Sequence, residues 1–258
     1  MDVSLSQSVR TTLGATQRIS ELIEKSQTRI ATSKKFSSAI EKPIAISISN
    51  SLSNRAADLL TIKDNISQGS SRLKTTLNGL NTIDQTLDQL KAVARQHAAT
   101  DDAAKQAELA NQFNVIKGQL DNFARDASYG GTNLIGASPD DLSINLNEDG
   151  TSSVTINGVA SDSSALGVAV TNEAGIDAAK AQIRSTAQII GSNAGVLEIR
   201  EEFTDELVNS LQAGEAKLTQ TYLNEEAANI LSLQTRSQLA AAATGIAAQS
   251  ERTILQLF

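Results

Sequence analysis

The sequence has no cysteine and no tryptophan, a single histidine, and only two prolines in 258 residues. Without cysteine there is no disulfide, no thiolate metal ligand and no thiol nucleophile. Such a chain is either cytosolic or leaves the cell without needing oxidative folding. Pro43 and Pro139 are the only prolines, so most of the chain carries nothing that forbids helix, and both positions are expected to mark boundaries. Aromatic residues make up only 3%, and the apolar content is carried mainly by Ala, Leu and Ile. A compact enzyme of this length usually fills its core with rings, whereas long helices packed side by side need small and γ-branched residues along a narrow seam. No apolar run reaches the ~20 residues needed to cross a bilayer. The opening MDVSLSQSVRTTL lacks the basic start and apolar run of a cleavable signal.

Sites for chemistry are equally scarce. His97 has no cysteine or second histidine to complete a metal site, so it reads as a polar residue on a helix seam. The Asn147 to Gly150 run (NEDG) lacks the alternating oxygen ligands and the later Glu of a calcium loop, and reads as a turn. The Ser/Thr cluster from Thr151 to Ser164 is a solvated loop that could accept sugars. There is no Gly-rich phosphate loop, and the N-terminal basic residues are not interleaved with aromatics, which argues against nucleic acid. The expectation is a non-enzymatic protein with no cofactor, no metal, no nucleic-acid partner and no membrane partner.

What the chain does have is periodicity. Steps of seven from Leu52 give Leu52, Leu59, Ile66, Leu73, Leu80, Leu87 and Ala94. Three residues further on stand Ile62, Ile83, Leu90 and His97, with Gly69 and Thr76 weakening that second row. A repeat of seven keeps one stripe turned toward a partner helix, so a long helix is predicted from about Ile44 to Thr100, some ~85 Å at the usual rise. A matching row, Ile176, Ile183, Ile190, Leu197, Thr204, Leu211 and Leu218, predicts a second rod. Between them, Leu109, Phe113, Ile116, Leu120 and Phe123 predict a third helix over residues 102–128, opened by an Asp cap and stopped at Tyr129-Gly130-Gly131.

The pattern then alternates. Leu142, Ile144 and Leu146 precede the Asn147 to Gly150 run, and Val154 and Ile156 follow it, predicting a β-hairpin that turns near Asp149-Gly150. Charge changes along the chain as well: residues 1–60 carry eight Lys/Arg against five Asp/Glu, whereas residues 101–177 carry three against twelve. The acidic middle is therefore the part expected to face water.

The extreme ends differ from the rods. Val3, Leu5, Val9, Leu13, Ile19, Leu22, Ile23 and Ile30 describe an amphipathic helix over residues 3–32 whose stripe is broken around Gly14 to Gln17. Ser33 to Pro43 reads as a polar joint. Near the C-terminus, Ser237 to Ser250 (SQLAAAATGIAAQS) holds fourteen residues and no charge. A helix with no charged face has little reason to lie on a surface, so other copies of the chain are expected to enclose it.

Both ends carry family-like motifs. The block TRIATSKKFSSAIEKPIAISISNSLSNRAADL, with its Ser-Lys turn, Pro joint and Leu-x-x-Arg-Ala helix start, resembles the N-terminal signature of bacterial flagellins. LNEEAANILSLQTRSQLAAAATGIAAQSERTILQLF, with Asn-Glu-Glu, Leu-Gln-Thr-Arg and a final Leu-Phe, is similar to the closing helix of that family, and NAGVLEIREEFT to the segment before it. The likeness spans about residues 5–136 and 174–258. It implies a mainly α protein: an elongated hairpin-like bundle of long coiled-coil helices from both chain ends, with a small β-hairpin insertion. The implied domains are an inner one, residues 1–43 with 215–258, and a next shell, 44–129 with 174–214, leaving 130–173 as a short remnant of an outer domain.

The function implied is a subunit exported unfolded and polymerised into the extracellular filament. Its implied partners are copies of itself, an export chaperone, the cap and the hook-filament junction proteins. A hook-filament junction protein is the nearest alternative, and a soluble signalling coiled coil a more distant one. Leu52, Leu59, Ile66, Leu73, Leu80, Leu87, Ile183, Ile190, Leu197 and Leu211 are expected to hold the outer shell, and Leu233, Leu239, Ile246, Ile254 and Leu257 the inner one. Tyr222 stands where related blocks often have Asp. Gln89 and Val93 align with an Arg and a Leu of flagellins seen by the animal flagellin receptor, and Gln89 cannot make a bidentate charged contact, so weak recognition is expected.

Overall fold

A computed structural model of the chain describes residues 7–36 and 38–255. Its element order is α1 (Gln7–Thr32), α2 (Pro43–Ala98), α3 (Ala103–Asp126), β1 (Leu142–Asn145), β2 (Ser153–Ile156), α4 (Glu173–Thr219) and α5 (Leu223–Leu255). Pro43 opens α2, where its missing N–H costs nothing. Asp102 caps α3, its carboxylate accepting the Ala104 N–H at 2.9 Å. The chain divides into two compact units, Arg55–Ser210 and a second made of Met1–Asn54 with Leu211–Phe258.

Arg55–Ser210 has a core built on the seven-residue rows. Leu59, Ile66, Leu73, Leu80, Leu87 and Ala94 of α2 are all buried, as are Ile176, Ile183, Ile190 and Leu197 of α4. Each such Leu or Ile stabilises the fold by roughly 1.5–3 kcal/mol relative to an exposed one. Thr76 and Thr204, the polar gaps in the rows, are buried too, and bond back to the carbonyls of Arg72 and Arg200 at 3.0 and 2.8 Å. A series of ion pairs links α2 to α4: Lys63 to Asp205, Lys74 to Glu198, Asp84 to Arg184, Asp88 to Lys180, Lys91 to Asp177 and Arg95 to Glu173. Numbers rise along α2 as they fall along α4, so the two run antiparallel. α3 adds Leu109, Phe113, Leu120 and Ala124 to the core. Phe123, grouped by spacing with that stripe, is 37% exposed instead. It follows Leu120 by three positions, at the margin of the buried face rather than on it.

The hairpin pairs β1 with β2 antiparallel, Leu142 opposite Ile156 and Asn145 opposite Ser153. Its turn is closed by Asn147, whose side chain reaches Thr151 and the Ser152 N–H, and by Gly150 at φ 66. The segment around it is not a solvated appendage: Leu134, Ile135, Leu142, Ile144, Leu146, Ile156, Leu166 and Val168 all belong to the same core cluster. The two glycines of α2 explain how it fits. A Cβ on Gly69 would stand 2.2 Å from Ile144 Cδ1, and one on Gly79 would stand 2.6 Å from Ala127 Cβ. The gap at Gly69 in the second row is thus the place where the hairpin packs.

In the other unit α1 pairs with α5. The joint crosses to the end of α4 in a short bridge between Lys34 and Gln220, where the Lys35 N–H donates to the Thr219 carbonyl at 2.5 Å and the Thr221 N–H to that of Ser33 at 3.1 Å. α1 is one helix across Gly14 to Gln17, where only its apolar stripe is interrupted, and Gly14 has open space beside it.

Candidate assembly surface

α1 and α5 meet along one row each. On α1 this is Val9, Thr12, Thr16, Ile19, Ile23 and Ser26, buried or half-buried at spacings of three and four. On α5 it is Glu226, Ile230, Leu233, Ser237, Ala240 and Thr244, again at threes and fours. Half of each row is small or hydroxyl-bearing, Thr12, Thr16 and Ser26 on α1 and Ser237, Ala240 and Thr244 on α5, which lets the helices approach but buries less apolar surface than rows of Leu and Ile. Polar contacts fix the register at one end: Glu226 accepts from the Ser26 hydroxyl at 2.8 Å and from Arg29 at 3.0 Å. Burial of the Glu226 carboxyl works to raise its pKa, but the bonds from Ser26, Arg29 and Asn229 outweigh it and hold the value below the usual one.

The rest of α5 is open. None of the fourteen uncharged residues from Ser237 to Ser250 is buried. Leu231, Leu239 and Ile246 are 66, 66 and 68% exposed, in a row that α1 does not touch. Leu13 and Leu22 of α1, and Ile40, Ile44 and Ile48 at the joint and the start of α2, are exposed as well.

The residues singled out for assembly therefore fall into distinct groups. Leu59, Ile66, Leu73, Leu80, Leu87, Ile183, Ile190, Leu197 and Leu211 are buried within the chain itself. Leu52 is half-buried, and a Cβ on Gly214 would stand 3.6 Å from its Cδ1. Leu233 lies half-buried on the row toward α1, whereas Leu239 and Ile246 point away from it. The Ile254 side chain and Leu257 lie outside the described residues. His97 is half-buried in the last turn of α2. Gln89 is exposed, and Val93 is buried at 6%, so only the first of that pair is on the surface. The exposed residues Leu231, Ile44 and Ile48 were not singled out; their signal is an apolar residue just off the seam row.

Among the described residues no group of three His, Cys, Asp or Glu could hold a metal ion, and no helix is long and apolar enough to cross a membrane. A helix pair that leaves a full apolar row open marks a protein that associates through helices. The model of the bacterial flagellin N-terminal helical region matches residues 3–139. Flagellin FljK of Caulobacter vibrioides is 29% identical over 245 residues, covering 90% of this chain and 89% of that one. A flagellin of Brucella melitensis biotype 1 is 24% identical over 263 residues, covering 92% and 91%. Among solved structures, Bacillus cereus flagellin matches 57% of this chain and 88% of its own at 18% identity, with a TM-score of 0.41. The chain belongs to the bacterial flagellin family. Members of this family are structural proteins, and the chain is a structural subunit of the flagellar filament.

Proposed function

We propose that copies of the chain polymerise by enclosing the open face of α5 between them. The observation behind this is the second row on α5: Leu231, Leu239 and Ile246 lie two-thirds exposed along a helix whose segment from Ser237 to Ser250 has no charge. Among the described residues of one copy nothing covers that row, and burying it against neighbours removes apolar surface from water, which drives association. Leu233 takes the inner role of joining α5 to α1. Leu52, Leu59, Ile66, Leu73, Leu80, Leu87, Ile183, Ile190, Leu197 and Leu211 hold each subunit's rods together and carry the polymer indirectly. Ile254 and Leu257 are assigned to the same assembling end by their place in the sequence. The domain reading that follows assigns residues 1–43 and 215–258 to the assembling part.

The polymer is extracellular, and its subunits leave the cell through the flagellar export channel. Partners at successive steps are an export chaperone, the hook-filament junction proteins and the cap, each of which would meet the chain through its helical ends. The test is to delete the last ~20 residues, a cut within the open row, and to follow polymerisation by sedimentation and electron microscopy. A soluble fragment that forms no filaments, with the thermal unfolding of Arg55–Ser210 unchanged, is the expected result. Ordinary filaments from the truncated chain would overturn the reading.

A further inference from the structure

Two steps of the sequence place asparagine directly before glycine, Asn78–Gly79 and Asn157–Gly158. In a flexible chain such a step is chemically labile. The glycine backbone nitrogen, unhindered by a side chain, attacks the asparagine Cγ; a C–N bond closes a five-membered imide, and ammonia leaves with the proton the nitrogen gives up. Water then opens the imide to aspartate or to isoaspartate, which carries an added methylene in the backbone. Asn78–Gly79 lies inside α2, whose hydrogen-bond ladder holds the Gly79 N–H. Asn157–Gly158 has no helix around it: it follows β2 in irregular backbone, and Asn157 is exposed. Its surroundings are nonetheless fixed. The Gly158 N–H donates to Asp141 Oδ1 at 2.9 Å. A Cβ on Gly158 would stand 2.4 Å from the Asp140 carbonyl oxygen and 2.6 Å from Pro139 Cβ, so the slot admits only glycine. On one side Ile156 is buried and paired with Leu142, and on the other the Val159 N–H donates to the Leu134 carbonyl at 2.8 Å.

We propose that Asp141 guards the Asn157–Gly158 step against this closure. The inference concerns the chemical lifetime of the chain and does not depend on how copies assemble. Closure has two requirements: the Gly158 nitrogen must give up its proton, and it must turn about the Asn157 Cα–C bond until it faces Asn157 Cγ. Asp141 opposes the first. Its carboxylate holds that proton in a charge-assisted bond, and an amide anion formed 2.9 Å from a carboxylate would be repelled by it. Packing opposes the second. Turning the nitrogen swings Gly158 out of a slot walled by the Asp140 carbonyl and Pro139, and strains the Ile156 pairing and the Val159 bond on either side. The two restraints are joined, because Asp141 immediately precedes Leu142, the partner of Ile156, so its side-chain bond continues the hairpin ladder past its last backbone pair. What the guard preserves is the hairpin. Isoaspartate at position 157 would lengthen the chain between Ile156 and the Gly158 slot, and so disturb the pairing that places Ile144 beside Gly69.

The test compares the unmodified full-length chain with Asp141→Asn and Asp141→Ala, each held for weeks near neutral pH, with peptide mapping by mass spectrometry to follow conversion of Asn157. In the folded unmodified chain, conversion is expected to be at least about a hundredfold slower than in the same chain unfolded in denaturant, because closure waits for local opening. Asp141→Ala should raise the folded rate about tenfold or more, the factor carried by a hydrogen bond to a charged group. Asp141→Asn, which keeps an acceptor oxygen without the charge, should fall between the two. Unfolded, all three should convert at one rate. Hydrogen exchange separates a guard from a general prop: in Asp141→Ala the Gly158 amide should lose protection, while those of Val159 and Ser161, bonded to the Leu134 and Ile135 carbonyls, keep theirs. Conversion of Asp141→Ala at the unmodified rate would overturn the proposal. So would a faster rate accompanied by lost protection at Val159 and Ser161, which would trace it to a loosened loop. Equal rates in the folded and unfolded unmodified chain would show that the step has no guard.

Discussion

Arg55–Ser210 and the unit holding α1 and α5 both rest on paired helices with regularly spaced contact rows, and they fill those rows with different side chains. In Arg55–Ser210 the rows are Leu and Ile, and Ile66, Leu73, Leu80 and Leu87 have no exposed surface at all. Between α1 and α5 the rows alternate Thr12, Thr16, Ser26, Ser237, Ala240 and Thr244 with Ile19, Ile23, Ile230 and Leu233, which are only half-buried, and among the described residues Val9 is the one apolar side chain of the pair that is buried. Similar geometry therefore yields a self-sufficient core in one case and a loosely held pair in the other, because stabilisation follows apolar area removed from water and not helical register. Ile230 and Leu233 of α5 face α1, but Leu231, Leu239 and Ile246 lie on the far side.

The sharpest way to break this comparison is hydrogen exchange on the unpolymerised chain. Amides of α1 and α5 are expected to exchange at least about a hundredfold faster than those of α2 around Leu73 and Leu80, because opening there exposes little apolar surface. Equal protection along all the helices would show that the small-residue rows hold as firmly as the Leu rows.

Substitutions sharpen it further. Leu73→Ala removes a fully buried side chain and should cost about 2–5 kcal/mol of stability in denaturant titration. Leu239→Ala removes one that is 66% exposed and should stay within about 0.5 kcal/mol in the monomer. A large loss at Leu239 without polymer would mean that α5 is already covered within a single chain.

Glycines offer a contrast of sign. At Gly69 a Cβ would meet Ile144 Cδ1 at 2.2 Å, so Gly69→Val should cost about 1–3 kcal/mol by overpacking, and shortening Ile144 to Val should recover part of it in a double-mutant cycle. At Gly195 of α4 nothing lies within 4 Å, and Gly195→Ala should raise stability by about 0.5–1 kcal/mol. If both changes destabilise alike, the hairpin is not what selects glycine at position 69.

These cases also mark how far the sequence could be read. The long helices, their boundaries to within a few residues and the hairpin turn were legible because Leu, Ile and Ala repeat at sevens, and because Pro43, Asp102, Gly130 and Gly150 stop or start elements for local reasons. Gly69 was legible only as a flaw in a row, since the Ile144 that fills it is remote in sequence and nothing local announces their meeting. The segment after Gly130 looked solvated because its Ser, Thr and Asp residues outnumber its apolar ones, yet Leu134, Ile135 and Val168 are buried. Spacing could find the apolar residues of the assembly surface but not sort them: Leu233 and Leu239 look alike in sequence, and only the position of α1 separates a covered residue from an open one.

The smallest expected effect concerns the polar contact that fixes α1 on α5. Burial would raise the pKa of Glu226, but Ser26, Arg29 and Asn229 stabilise its anion more, leaving the folded value below the ordinary 4.5. A carboxyl with a depressed folded pKa contributes stability above its unfolded pKa and loses it as pH falls through the folded value. The α1–α5 pair should therefore keep its exchange protection from neutral pH down to about that ordinary value and lose protection at lower pH, while in Arg55–Ser210, where Asp88 beside Lys180 and Glu148 beside Arg55 are also held below their usual values, the same loss is taken from a larger apolar core. Glu226→Gln should remove this acid step and lower protection at neutral pH, because a neutral amide forms a weaker bond with Arg29. Exchange in the α1 and α5 peptides, followed from about pH 7 to about pH 3 after correction for the intrinsic rate, measures both. An acid step that persists in Glu226→Gln would place its origin in another carboxyl and leave the small-residue rows as the main tie between the two helices.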